Sequence, residues 1–484
     1  MDSVGRPVGA DQGLAAMELD RFRGELYRCL GRRADELFEL VDAVLCAEGP
    51  VRSLVGLCLA PEHRRGHGAL YDAVNSGEVN TARLRETLVR LPLPRMFGGR
   101  IVLAVDVSPW LRPDAETCPD RLFCHVYGRG RATRQRIPGW PYQLVTALES
   151  GPTSWTAVLD AVRLGPADDA TAVTAEQLRA VVERLRAAGR WRCGDPAILV
   201  VLDSGYDVHR LAFVLADLPV QLVGRIRADR VLLAPAPPRP PQGPGPIGRP
   251  RRHGAAMVLA DSATWPAPNT RSRTATDRYG QAAATAWNRM HPRLEHRGPW
   301  AGADGPPPIV EGTVIRLQVE HLPGHRQAPP VWLWTSAADA DLTDVIRCWQ
   351  AYLRRFDLEH TIRLFKQTLG WTAPKIRSPQ AADRWTWLVI AAHTQLRLAR
   401  ALARDLRRPW EKPLGPERLT PARVRRGFRH LHGKTTQPAS APKPSHPGPG
   451  RRRGTKNRQR AIRYDVGKTA TGQRQGPSRE KVSG

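Results

Sequence analysis

The sequence predicts an α/β protein: a mixed β-sheet flanked by helices, with a β-rich insertion, an N-terminal helical domain and a disordered basic tail. Three short apolar runs typical of strands lie close together after residue 99, namely RIVLAVDVS, LFCHVYG and YQLVTALE. Amphipathic helices then alternate with strands in AEQLRAVVERLRAAG, DPAILVVLD, DVHRLAFVLADL and VQLVGRIR. The order β-β-β-α-β-α-β joins hairpin strands, most simply an antiparallel meander, to crossover units. Such a chain forms a mixed sheet with helices on both faces.

Composition divides the rest of the chain around this sheet. The N-terminal part is helical in pattern, a Pro- and Gly-rich stretch interrupts the α/β pattern, and the C-terminal part is too rich in Pro, Gly, Ser, Lys and Arg for helices. We predict an N-terminal helical domain at 1–95, the first part of the α/β domain at 96–228, a partly β insertion at 229–338, the second part of the α/β domain at 339–411 and a disordered basic tail at 412–484.

Two short helical segments in the N-terminal domain have the pattern of a helix-turn-helix. They are GALYDAVNSG and NTARLRETLVRL, joined through Gly77. Small helical bundles use the same pattern, so the sequence leaves open whether this pair reads DNA or only packs.

Charge points to a polyanionic partner. The formal net charge is +28, and the last 64 residues (421–484) hold 17 Lys and Arg against 2 acidic residues. Nucleic acid is the simplest partner for such a protein. No stretch approaches the roughly 18 apolar residues of a membrane helix, and the N-terminus lacks a secretion signal, so we expect no membrane partner and a cytoplasmic location.

The seven cysteines give no sign of a metal centre. They are scattered, with no CxxC pair and no nearby histidine at ligand spacing. Idle or buried thiols in a reducing compartment are therefore favoured over a zinc site.

Two aspartates lie in or at the end of predicted strands, where a charged side chain is unusual. Asp106 lies inside the apolar run RIVLAVDVS, where an ionised carboxylate is costly unless a cation compensates it. Asp203 ends AILVVLD, and ligand groups gather at the C-terminal ends of strands in α/β sheets. Asp207 is better placed to cap the next helix. The simpler interpretation of Asp106 is a pair with one of the many arginines.

A third acid lies on a predicted helix, YLRRFDLEHTIRLFKQTLGW, which ends at Gly370. Its polar residues Tyr352, Arg355, Glu359 and Lys366 share a stripe of about 60°, beside an apolar stripe of Leu358, Ile362, Phe365 and Leu369. If Glu359 meets both aspartates, a pair of Mg²⁺ or Mn²⁺ ions would relieve their repulsion and support in-line phosphoryl transfer. The alternative is a solvated face with an Arg355–Glu359 pair.

The spacing Tyr352-x2-Arg355-x3-Glu359-x6-Lys366 resembles the YREK signature of bacterial insertion-sequence transposases of the DDE superfamily. The element order also resembles the RNase H-like layout of that group, with its β-rich insertion before the last catalytic helix. The resemblance covers roughly residues 100–410. It implies that Asp106, Asp203 and Glu359 are the catalytic metal ligands, and that Tyr352, Arg355 and Lys366 bind DNA.

The same resemblance implies an activity. Such enzymes cut double-stranded DNA at the terminal inverted repeats of their element, and the freed 3′-hydroxyl then attacks target DNA, with a homodimer in the synaptic complex. Some hold a flipped base on a tryptophan of the insertion, a role open to Trp332 or Trp334 beside the simpler one of core packing. Two alternatives remain: a non-catalytic DNA-binding protein derived from a transposase, and an RNase H-like nuclease that cuts without joining.

Overall fold

Eleven α-helices lie in the part of the chain that the computed structural model describes, which comprises residues 8–127, 134–151, 153–237, 251–297, 300, 305–322, 328–443, 452–455 and 459–470. They are α1 (Val8–Arg28), α2 (Ala34–Cys46), α3 (Leu54–Leu57), α4 (His67–Ser76), α5 (Thr81–Arg90), α6 (Ala170–Ala187), α7 (Val208–Val214), α8 (Leu342–Arg354), α9 (Phe356–Gln367), α10 (Pro379–Leu398) and α11 (Pro421–His432). None of these helices is long and apolar enough to cross a membrane.

Twelve strands lie in the same described ranges. They are β1 (Val102–Leu111), β2 (Leu122–Tyr127), β3 (Arg134–Leu148), β4 (Thr156–Arg163), β5 (Ile198–Leu202), β6 (Val220–Ile226), β7 (Val231–Pro235), β8 (His253–Val258), β9 (Thr270–Thr276), β10 (Gly280–Met290), β11 (Gly312–Val319) and β12 (Val331–Thr335). Ten form one sheet in the order β2-β3-β1-β5-β6-β12-β11-β10-β9, with β4 beside β3, and β7 pairs with β8. The strands β1, β5 and β6 run parallel. The predicted mixed, RNase H-like sheet flanked by helices is confirmed.

Both faces of the central sheet are buried. Along β1, Val102 and Ala104 face a core shared with helices α8 to α10 and the N-terminal helices. The alternate residues Leu103 and Val105 face a second core that contains α6 and α7. Strands covered on both faces consist of continuous apolar residues, which is why VLAV and ILVVL lack polar alternation.

The predicted three-strand meander is wrong in two respects. The central strand β1 pairs with β3, and β2 pairs only with the first part of β3. A fourth strand, β4, lies along the later part of β3. This strand contains a buried acid, Asp160, which Arg85 and Arg184 neutralise from outside the strand at 2.7 and 2.5 Å. Because that compensation comes from distant residues, the local pattern did not indicate a strand.

The helix predicted over 352–371 is interrupted at Arg355. The chain forms α8 up to Arg354 and α9 from Phe356. At the break, the Arg355 N–H donates to the carbonyl of Tyr352 and the Leu358 N–H donates to the carbonyl of Arg355, both i→i+3 bonds. The predicted end near Gly370 agrees with its φ of +72°. A side chain there would also collide with the Val51 carbonyl.

The predicted insertion at 229–338 mostly extends the main sheet. Its strands β9 to β12 continue from β6, whereas β7 and β8 form a separate pair. Much of its Pro-rich lead-in, residues 238–250, lies outside the described residues.

The N-terminal helices form a layer with the C-terminal helices. Helix α4 packs against α2 and α10, whereas α5 packs against β4 and α6. The candidate helix-turn-helix pair is therefore divided between different neighbours, which favours the helical-bundle interpretation.

The predicted tail differs from the structure in its first part. Helix α11 lies inside the range 412–484, and its buried Val424 and Phe428 belong to the core beside α2 and α10. Residues 444–451, 456–458 and 471–484 of the predicted tail lie outside the described residues.

Candidate active site

Two of the three predicted acids meet at one edge of the central sheet. Strands β1 and β5 are parallel, and Val105 lies opposite Leu202. The next residues are Asp106 and Asp203, so the register places both carboxylates side by side where β5 ends. This is the edge at which α/β sheets gather ligand groups.

The third acid, Glu359, is joined to Asp106 and Asp203 by a shared contact with Arg355. The guanidinium of Arg355 contacts Asp106 Oδ2 at 3.2 Å, Asp203 Oδ2 at 3.5 Å and Glu359 Oε1 at 2.9 Å. Its side chain is only 5% exposed, whereas the three acids are 23%, 33% and 37% exposed. One buried cation therefore bridges three partly exposed carboxylates.

This arrangement contains both of the simpler contacts expected from the sequence. Asp106 pairs with an arginine, and Arg355 pairs with Glu359 four residues later. The partner is the same arginine in both cases, and Asp203 adds a third contact to it. The contacts are therefore parts of one cluster, rather than separate surface pairs.

Burial determines the electrostatics of Asp106. Desolvation raises the pKa of its carboxyl from 3.8 to about 6, and the nearby Asp203 and Glu359 add to the rise. Arg355 and the Val107 N–H, which donates to Asp106 Oδ1 at 2.8 Å, act in the opposite direction. The carboxylate is thus costly to ionise until a further positive charge arrives.

Asp203 has unused capacity to bind a cation. Its Oδ1 is buried and accepts no hydrogen bond from the described residues. The buried hydroxyl of Tyr206 is also unpaired within them. Burial raises the pKa of Tyr206 well above 10, and Asp106 and Asp203 lie near enough to add to this effect. The sequence prediction did not include Tyr206, although it lies in the DSGYD segment with Asp203.

Tyr352 lies near Asp203. It is 8% exposed, and burial raises the pKa of its hydroxyl, followed by the charge of Asp203. Arg225 of β6 lies close enough to act against this rise in pKa. Arg225 was also missed, because an arginine in a strand of this Arg-rich chain carries no distinguishing signal.

Lys366 completes the predicted quartet. Burial lowers the pKa of its ammonium, an effect that Cys124 and then Asp106 partly offset. The ammonium also lies 5.8 Å from the centre of the Trp371 ring. The apolar stripe beside the quartet is buried as predicted, at Leu358, Ile362, Phe365 and Leu369.

The two tryptophans considered for base stacking belong to the core. Trp334 is fully buried, contacts His209 and donates from Nε1 to the Met290 carbonyl at 3.1 Å. Trp332 is 4% exposed and packs against Trp265 and Trp287. Neither indole offers a free face for a base, so the stacking role is corrected to core packing.

Asp207 is the structural acid that the sequence predicted. It is the N-cap of α7, and its carboxylate accepts the Arg210 N–H at 3.1 Å. Asp207 therefore has a structural role, distinct from that of Asp203 four residues earlier.

Comparison with known families agrees with this geometry. A family model described as "DDE superfamily endonuclease" matches residues 25–293, more than half of the 484 residues. The match includes Asp106 and Asp203 and ends before Glu359, which the fold itself brings to them. Comparison with curated proteins finds no match. The chain belongs to the DDE superfamily endonucleases.

Proposed function

We propose that the protein is a DDE transposase that cleaves DNA at the ends of a mobile element and transfers the freed 3′-hydroxyl into target DNA. The observation that carries the proposal is the convergence of Asp106, Asp203 and Glu359 on one guanidinium. Three carboxylates on three separate elements are unnecessary to hold one arginine, but they suit divalent cations.

The donor chemistry of Asp106, Asp203 and Glu359 suits Mg²⁺ or Mn²⁺, and these three residues would hold the ions. All three donors are hard carboxylate oxygens, Asp203 Oδ1 is buried and unpaired among the described residues, and Arg355 already occupies the cluster as a positive charge. When bound, the ions would supply an activated water and neutralise charge on the attacked phosphate.

The basic side chains would engage the DNA. Arg355 would exchange part of its contacts with the acids for a phosphate, because divalent cations compete for the same oxygens. Lys366, whose ammonium lies near Asp106, would contact the backbone beside the scissile phosphate. Tyr352 would pack against that phosphate or hydrogen-bond to it, with Arg225 nearby.

We further infer that the Tyr352, Arg355, Glu359 and Lys366 pattern is a YREK signature and that the protein derives from a bacterial insertion sequence. Double-stranded terminal inverted repeats and target DNA would then be its substrates, and a homodimer would form the synaptic complex. The protein would act in the cytoplasm at the nucleoid. Flanking DNA with short inverted repeats and direct duplications supports this origin; their absence argues against it.

A nuclease without joining activity is the second candidate, since the same acids serve both reactions. A linear DNA with the element's end, incubated with Mg²⁺ or Mn²⁺ and a supercoiled target, separates the two. Cleavage with covalent joining of the 3′ end to the target supports transposition. Cleavage without any joined product supports the nuclease, and binding without cleavage supports a non-catalytic DNA-binding protein.

A further inference from the structure

A second group of metal-ligand side chains lies far from the three acids in sequence. Cys46 is the last residue of α2, Glu62 follows α3, and His432 is the last residue of α11. One ligand atom from each of the three residues lies within 4.8 Å of the other two. A tetrahedral zinc site places its ligand atoms roughly 3.5 Å apart, so small side-chain rotations would close the group around an ion.

The Glu62 carboxylate has one oxygen directed to no described partner. Its Oε1 pairs with Arg429 Nε at 3.2 Å, whereas Oε2 is buried and accepts no hydrogen bond within the described residues. The Glu62 side chain is 7% exposed, so solvent does not compensate for the missing partner. An unpaired buried carboxylate oxygen is costly unless it meets a cation or a donor, and the nearby Cys46 thiol is one such donor in the absence of an ion.

The His432 ring is held at its Nε2 by polar side chains, including Gln437 at 2.9 Å. Its Nε2 lies 3.0 Å from Oδ2 of Asp42, and Asp42 itself is held by Arg23 at 2.7 Å. With Nε2 held by Asp42, Nδ1 would be the ligand atom, and a carboxylate on the opposite ring nitrogen fixes the ring and strengthens it as a ligand. Cys46 is 4% exposed, and burial raises the pKa of its thiol, so only a nearby cation would make the thiolate favourable.

The set of ligands differs from that of the three catalytic acids. Thiolate and imidazole favour zinc over magnesium, whereas the acids of the candidate active site offer only oxygen. We propose that Cys46, Glu62 and His432 form a zinc site that fastens α11 to α2 and to the segment after α3. A water molecule would complete the tetrahedron. The site anchors the helix from which the basic C-terminal region departs.

Residue spacing does not indicate this site, because its ligands come from three separate segments, and 386 positions separate Cys46 from His432. The prediction of idle thiols rested on the missing CxxC spacing, and that spacing is not needed when tertiary packing assembles the ligands.

The test uses Co²⁺ as a probe on full-length protein freed of metal by a chelator. Thiolate-to-cobalt charge-transfer absorption reports only ions bound to sulfur, so ions at the three acids do not contribute. We expect the band to saturate at one equivalent of Co²⁺ and to disappear on adding one equivalent of Zn²⁺. Zn²⁺ should also raise the melting temperature, because it binds the folded state.

Variants assign the ligands. Cys46→Ser should abolish the band and the thermal shift, and Glu62→Gln and His432→Gln should each weaken Co²⁺ binding at least 10-fold. Cys29→Ser, at another buried cysteine, and Asp203→Ala should leave the band unchanged, so the result is independent of the proposed catalytic function. Absence of the band in the unmodified protein overturns the proposal, as does a band that survives Cys46→Ser. If Cys46→Ser fails to fold, full Co²⁺ affinity in both Gln variants is decisive against it.

Discussion

Nη1 of Arg355 lies 3.2 Å from Oδ2 of Asp106, although 249 positions separate the two residues in the chain. The same guanidinium contacts Asp203 and Glu359, so a single cation bridges the three carboxylates without neutralising all of them. This relationship implies competition between Arg355 and divalent cations for the same oxygens.

Removing that cation should make the fold depend on divalent ions. In Arg355→Ala, the three carboxylates repel one another, so we expect lower stability in a chelator and a larger Mg²⁺-induced rise in melting temperature than in the unmodified protein. The loss should be smaller than the roughly 3–5 kcal/mol that follows breaking of a fully buried pair, because the acids are partly exposed. Thermal melts with and without Mg²⁺ measure this loss of stability.

Arg347→Ala, which removes an Asp344 pair from α8, is the control and should show no Mg²⁺ dependence beyond that of the unmodified protein. Equal Mg²⁺ shifts in Arg355→Ala and the unmodified protein would contradict the competition.

The three acids should be indispensable for cleavage. Asp106→Asn, Asp203→Asn and Glu359→Gln keep the side-chain shape but remove a metal-binding charge, so each should lower cleavage by a factor of about 10³ or more. Binding of the DNA end should change little. Gel assays of cleavage and binding on the same preparation measure both. Asp207→Asn retains a good N-cap and should retain cleavage; substantial cleavage by any of the three acid variants would refute the triad.

Stability should fall as the pH rises through the titration of Asp106. Its folded pKa of about 6 lies above 3.8, so between these values the folded state binds more protons than the unfolded state. The contribution of Asp106 to the free energy of unfolding is therefore fully present below pH 3.8 and is lost as the pH rises through about 6. Asp106→Asn should reduce the slope of unfolding free energy against pH, measured by denaturant unfolding without divalent ions.

Asp357, whose pKa is also raised to about 6, contributes in the same pH window, so Asp357→Asn is measured in parallel. An Asp106→Asn slope identical to that of the unmodified protein would show that Asp106 does not titrate there.

Lys366 should contribute more to DNA binding and cleavage than to the stability of the fold. Lys366→Met keeps the aliphatic stem beside Trp371 but removes the charge, so the melting temperature should change little. We expect about a 10-fold or greater loss of cleavage and a salt slope of DNA binding lower by about 1. Arg363→Ala, an exposed cation on the same helix, is the matched control. A loss of the same size in both variants would mean that Lys366 supplies only general charge.

The C-terminal region should divide into a structural and an electrostatic part. Deleting residues 444–484 removes 11 Lys and Arg against 2 acids, so DNA affinity and its salt dependence should fall. The melting temperature should also fall somewhat, because the deletion removes the Tyr464 carbonyl that accepts a hydrogen bond from the buried Arg121 at 3.0 Å. Deleting residues 421–484 also removes α11, whose Val424 and Phe428 are buried, and should destabilise the fold. Unchanged DNA affinity in the shorter deletion would exclude a DNA-binding arm.

Local patterns indicated most residues of the candidate site. Asp106 stood out as one charge in an apolar strand, Asp203 as an acid at a strand end, and Glu359 by its spacing to Arg355 and Lys366. These signals are visible in the sequence because strand and helix periodicity depends on neighbouring residues. The capping role of Asp207 was predictable for the same reason.

Contacts between distant segments decided the rest. The sequence by itself determined the α/β class, the buried central strands and the residues of the polar helix stripe. Only the tertiary structure decided that Arg355 bridges all three acids, that Trp332 and Trp334 are core residues, that Asp160 lies in a strand, and that α11 packs on α2. Each of these depends on a partner dozens to hundreds of positions away, and such a partner leaves no periodic trace in the local sequence.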